Sequence, residues 1–261
     1  MKSSSATFRR LEADKIIETV KALHGRIEER FPGSGLGQVV GELQEVAEET
    51  VGRTRWIQKP HLLLRCVAAL LSLGIIVLLG FLVAHVRQFN FEDFTNSVQA
   101  LDSSISSVVF VGAAILFFVN WEHRIKRDRA LKALHELRAL AHIVDMHQLT
   151  KDPETYAAQG AQGAHTTRIR KRAMTPFELN RYLDYCSDAL ALISKIAALY
   201  AQSFQDPVLL DAVDDVEDLT AGFSRKIWQK ITILENLRRA LHGAEAAAGP
   251  LPSRQADTDL V

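Results

Sequence analysis

Cysteine is almost missing from this chain, which has only Cys66 and Cys186. One falls in an apolar run and the other on an amphipathic stretch. A disulfide framework is therefore excluded, and reduced thiols in a cytoplasmic setting are expected. Proline and glycine are also sparse, with 7 and 14 in 261 residues. Long stretches rich in Ala, Leu, Glu, Lys and Arg with few breakers predict helix. Net charge is lacking too, since 31 Lys+Arg balance 31 Asp+Glu. Without a basic excess to release counterions from phosphates, no nucleic-acid partner is expected. Residues 1–60 hold no apolar run of signal-peptide length, so no cleavable leader is expected.

Chemical motifs are missing as well. His135-Glu136 does not open a zinc-protease motif, because Ala139 stands where the second histidine belongs. Gly33, Gly35, Gly37 and Gly41 are followed by no Gly-Lys-Ser/Thr and preceded by no strand pattern, which excludes a phosphate loop. His135, His142, His147 and Asp145 share a helical stretch, where polar positions of a stem account for them as well as a metal does. Cys186 has no histidine nearby in sequence to activate its thiol. The expectation is a protein that is not an enzyme and uses no cofactor or metal.

What is present is a pair of long apolar segments, Leu62–Val86 and residues 105–120. The first has only Arg65 and His85 as ionisable groups, one near each end, where snorkelling accommodates both. At 1.5 Å per residue it spans about 37 Å, against roughly 30 Å of hydrocarbon. Twelve positions from 67 to 84 are Leu, Ile, Val or Phe. At about −0.5 kcal/mol each, they favour insertion by roughly 6 kcal/mol. The second segment reaches bilayer thickness when Ser103, Ser104 and Trp121 are included. Neither carries an ionisable group at its midpoint, which weighs against transport or proton relay within one hairpin.

Flanking charge sets the expected orientation. Arg53, Arg55 and Lys59 precede the first segment, and Arg124, Lys126, Arg127, Arg129 and Lys132 follow the second. The connecting residues 87–104 have one Arg against Glu92, Asp93 and Asp102. Both termini should face the cytoplasm of the cell (inner or plasma) membrane. Trp56 and Trp121 then join Arg53, Arg55, Lys59, Arg124, Lys126 and Arg127 as interface anchors. The segment midpoints, Gly74 and Gly112, would meet near the bilayer centre, where small residues allow close helix approach.

Outside the membrane the pattern stays helical. Ile16, Val20, Leu23 and Ile27 share one face, and Phe31-Pro32-Gly33 ends it. After residue 120 no breaker occurs before Asp152-Pro153, so a stem helix should continue to about Leu149, with Leu134, Leu137, Ala141 and Val144 as its apolar stripe. Arg168, Arg170, Lys171 and Arg172 cluster in a Gly-containing loop and could meet anionic headgroups. Thr175-Pro176-Phe177-Glu178 is a capping box, and Asp206-Pro207 repeats the cap-and-proline start. Between them, Leu179, Leu183, Cys186, Leu190, Ile193, Ala197, Tyr200 and Phe204 alternate by 4 and 3. That 3.5-residue period predicts left-handed helix packing as an antiparallel, coiled-coil-like hairpin.

The expected fold is therefore all-α: a two-span transmembrane hairpin with a cytoplasmic helical bundle. The expected divisions are 1–61 N-terminal helices, 62–86 first span, 87–104 external loop, 105–121 second span and 122–149 stem. A basic loop at 150–175, a helical hairpin at 176–242 and a disordered tail at 243–261 complete them. The lipid bilayer is one expected partner. A cytoplasmic protein bound by a membrane-anchored scaffold, or further copies of the chain, would be the other. The alternative function is an oligomeric pore-forming or membrane-disrupting effector.

Overall fold

The computed structural model describes residues 10–59, 62–86, 94–151 and 174–248. Every element among them is an α-helix: α1 (Ala13–Arg30), α2 (Gly35–Gln58), α3 (Leu62–Val86), α4 (Phe94–Leu149), α5 (Pro176–Ser203) and α6 (Pro207–Ala248).

Local chemistry sets the helix ends. Between α1 and α2 the chain turns at Gly33, whose φ of 65° suits a residue without a Cβ. Ser34 caps α2 by accepting from the Gly37 amide at 3.1 Å. The capping box of α5 forms in full: Glu178 N–H donates to Thr175 Oγ1 at 3.2 Å, and Thr175 N–H donates to Glu178 Oε2 at 2.7 Å. Asp206 caps α6 through the Leu209 amide at 3.2 Å.

Helices α1, α2, α5, α6 and the distal half of α4 share one core. The buried face of α1 is Ile16, Val20, Leu23 and Ile27. The stem contributes Leu134, Leu137, Ala141 and Val144, together with Ala130, Ala133 and Leu140. Burial of each large aliphatic side chain stabilises by about 1.5–3 kcal/mol. Helix α5 lies at the centre, packing on α1, α2, α4 and α6. Its seam from Leu179 to Tyr200 is buried, and so are Tyr182, Tyr185, Ala189, Leu192, Ile196 and Leu199. The α5–α6 pair is thus a hairpin inside a five-helix bundle, with α5 covered on nearly every side.

Helix α4 is 56 residues long, or about 84 Å. It starts at Phe94, so residues 94–104, expected as external loop, are helical. Ala100 and Leu101 favour helix there and no Gly or Pro interrupts it. Helix α6 likewise runs past Gly243 to Ala248. One glycine costs about 1 kcal/mol, which the following Ala-Glu-Ala-Ala-Ala offsets. Residues 87–93, the basic loop at 152–173 and the tail at 249–261 lie outside the described residues.

Helix α3 packs along α4. Leu70, Leu73, Ile76, Val77 and Phe81 of α3 are exposed, as are Ile105, Val109, Phe110, Leu116 and Phe117 of α4. Among the described residues, one helical stretch is long and apolar enough by composition to cross a membrane, within Val108–Leu149. None of that apolar window is buried. Among the described residues, Gly74 and Gly112 do not make the close approach expected of them: a Cβ added at either would meet no described atom within 4 Å.

Candidate functional site: a basic groove where the bundle meets the apolar helices

The bundle has a defined end beside the apolar segments. Phe204, at the α5–α6 turn, stacks on His123 of α4 with ring centroids 5.6 Å apart. Arg127 Nε lies 3.9 Å from Asp206 in the same turn. The backbone of Leu11 exchanges two hydrogen bonds with the Gln202 side chain, which pins the start of α1 to this end. Gln58, at the end of α2, donates to Ser203 at 3.4 Å.

Between α2 and α4 at this end lies a cavity of about 240 Å³, lined by Arg53, Trp56, Ile57, Arg129, Lys132, Ala133 and Glu136. Arg53 forms its inner wall, donating to Glu136 and to Glu49 at 2.6 Å each. Burial opposes its charge, but the bond to Glu136 and its neighbours outweigh that and hold its pKa above the ordinary value. Trp56 is covered by the Arg129 guanidinium, 3.9 Å above its ring. Lys132, one turn further along α4, is exposed. Among the described residues no carboxylate lies within ion-pair distance of Arg129 or Lys132.

The expected interface anchors therefore divide. Arg55, Lys59, Arg124 and Trp121 are exposed, and Trp121 packs edge-on against Phe117 at 5.1 Å. Lys126 is not exposed: it is buried with Glu122, one turn away, at 2.7 Å. It lies on the core face of α4, four residues before Ala130. Arg53 and Arg127 are likewise turned to carboxylates of the bundle rather than outward. Arg168, Arg170, Lys171 and Arg172 lie outside the described residues.

The cysteine and histidines among the described residues are occupied as follows. Cys186 is wholly enclosed, and burial pushes its thiol pKa up to about 12, which keeps it protonated and unreactive. His142 packs edge-on against Phe223, while His147 rests against Gly35. Among the described residues no group of three or more His, Cys, Asp or Glu is placed to hold a metal ion.

Sequence reading counted Arg129 and Lys132 only as flanking charge. Their signal was a spacing: Arg129, Lys132 and Glu136 at i, i+3 and i+7 share one helix face. That this face meets Trp56, 73 positions away in sequence, is decided by packing alone. In comparisons with protein-family models, curated proteins and solved structures, nothing matches this chain.

Proposed function

We propose that this chain is a two-span membrane protein of the cell membrane, with both termini cytoplasmic, that holds a helical interaction module against the bilayer. The observation that carries the reading is the continuity of α4. One helix supplies exposed apolar surface over residues 105–117 and core residues of the bundle over residues 130–144. An exposed apolar face of that extent is costly in water and stable in hydrocarbon.

Helix α3 supports the same reading. It is 25 residues long, sufficient to span, and it packs on α4 with apolar side chains outward. The Lys and Arg excess before α3 and after residue 120 favours retention of both flanks on the cytoplasmic side. A rigid stem anchored at one end and built into a bundle at the other fixes the position of that bundle relative to the membrane. That geometry suits a scaffold whose exposed helix faces engage a cytoplasmic protein.

Topology is tested by reporter fusions that report cytoplasmic or external location, placed after residue 90 and at each terminus. The expected result is an external reporter at residue 90 and cytoplasmic ones at both ends; a cytoplasmic reporter at residue 90 rejects the two-span arrangement. A voltage-sensitive dye separates a scaffold from an oligomeric pore. Expression of a scaffold leaves the membrane potential intact, whereas collapse of the potential favours the pore.

A further inference from the structure

We infer that the groove between Trp56, Arg129 and Lys132 is a binding site for the phosphate of an anionic phospholipid headgroup. The inference rests on the membrane reading above.

Three observations converge on it. The first is the placed guanidinium. The Arg129 guanidinium carbon sits 3.9 Å over the Trp56 ring, a cation–π contact that places this exposed side chain at the groove. A guanidinium is planar and carries its N–H donors in a fork that takes phosphate oxygens in pairs. Lys132, three residues on, adds a second cation to the same face.

The second is charge balance. Of the four charged groups in the lining, Arg53 and Glu136 satisfy each other at 2.6 Å. What remains is Arg129 and Lys132, two positive charges beside a cavity of about 240 Å³. That space accommodates a phosphate with its glycerol attachment. Glu49, the second partner of Arg53, lies outside the lining, and counting it leaves the group with a net excess of one positive charge.

The third is position. Arg129 is eight residues beyond Trp121 along α4, or about 12 Å. Helix side chains lean toward the N-terminus of their helix. The N-terminal side of α4 is the apolar side, so Arg129 and Lys132 lean back toward the headgroup layer. Helix α2 runs the opposite way, and its Arg53 accordingly reaches away from that layer to Glu136.

Other candidates are weaker. The groove between α1 and α5, of about 520 Å³, contains Lys15, Arg26 and Lys195, but Glu12 and Asp188 pair with the first two. The apolar side chains Ile143, Met146 and Leu149 on the distal stem are exposed, and nothing indicates what would cover them.

The test uses the full chain reconstituted into phosphatidylcholine bilayers containing phosphatidylglycerol as the minor lipid. After mild detergent extraction, co-purifying lipid is quantified by mass spectrometry. Phosphatidylglycerol should be retained above its share of the bilayer. Arg129→Gln and Lys132→Gln should each lower that excess about fivefold, with unchanged helical circular dichroism. Replacing Arg168, Arg170, Lys171 and Arg172 together by Gln should leave it intact. Retention in bulk proportion, or an excess that survives the Arg129→Gln/Lys132→Gln double variant, overturns the proposal. Displacement of the lipid by millimolar soluble glycerol phosphate identifies a free-phosphate site and also overturns it. Release of the chain from native membranes by alkaline carbonate rejects the membrane reading itself, an outcome distinct from all of these.

Discussion

The Tyr200 hydroxyl of α5 meets the Thr50 hydroxyl of α2 at 3.2 Å inside the bundle. Thr50 donates its own proton to the Val46 carbonyl at 2.7 Å, so Tyr200 is the donor across the helix pair. Tyr200 is fully buried, and burial outweighs its hydrogen bonds in raising its pKa. The pair ties the central helix to the helix that leads into α3, beside the Arg53–Glu136 bridge.

Tyr200→Phe should cost about 1 kcal/mol, the usual net value of such a bond. Thr50→Val should cost a similar amount. A double-mutant cycle read by thermal unfolding in detergent should give a coupling of about 0.5–1.5 kcal/mol; additive losses would show that the bond contributes nothing.

Glycine positions predict opposite signs. A Cβ at Gly35 would collide with the His147 ring, and one at Gly37 with the Glu28 carboxylate, which accepts the Gly33 amide at 3.2 Å. Gly35→Ala should destabilise by about 1–3 kcal/mol, whereas Gly37→Ala, where the flexible Glu28 side chain can swing aside at the cost of its bond to the Gly33 amide, should cost about 1 kcal/mol or less. Gly25 and Gly52 lie in helix interiors with open space around the added methyl. Gly25→Ala and Gly52→Ala should each stabilise by about 0.5–1 kcal/mol. Chemical denaturation of the four variants reads out both groups.

Two caps of the α5–α6 hairpin should be separable. Thr175→Ala removes one half of the capping box and should cost about 1 kcal/mol. Asp206→Ala removes the cap of α6 and the charge facing Arg127. It should therefore loosen the α5–α6 turn from α4. Hydrogen exchange at 204–210 should rise in Asp206→Ala and stay unchanged in Thr175→Ala.

Acid should weaken the distal end through His147. Burial, and then Lys151, lower its pKa from the ordinary 6.5. The neutral ring is favoured in the folded state, so its contribution is complete above pH 6.5 and is lost as pH falls through the depressed value. The melting temperature should drop between pH 7.5 and pH 5, and His147→Gln should reduce that drop. An identical drop in the variant would exclude His147 as the cause.

Alkali should act through Cys186 and the buried tyrosines. Burial raises Cys186 from 9.0 to about 12 and moves Tyr182 and Tyr200 upward from 10.0. Raised folded values mean stability that is complete below the unfolded pKa and lost as pH rises through the folded one. Stability should hold to about pH 9 and then fall. Cys186→Ala should delay the onset toward pH 10, whatever cavity cost it adds at neutral pH.

Much of the helical layout was legible in the chain. Ile16, Val20, Leu23 and Ile27 could be read as a buried face because a 3.6-residue period leaves one face for the core. Thr175 and Glu178 announced a helix start because both partners of a capping box are local. Lys126 reads as an anchor because it is a basic residue near an apolar segment, whereas its burial depends on where the core face of α4 points. Residues 94–104, within the expected external loop 87–104, are helical because no breaker interrupts them, whereas the charge count there bears on the side of the membrane and not on local structure.

By itself the sequence determined that this protein is helical, where the caps of α5 and α6 lie, and that two apolar segments interrupt a balanced charge distribution. These are local properties, set by neighbours within about four positions. Only the tertiary structure decided that α5 is the central helix, and that Tyr200 reaches Thr50. It also decided that Trp56 and Arg129 stack to form a basic groove. Those relations join residues 73 or 150 positions apart, and packing geometry selects such partners where periodicity identifies only which face is buried.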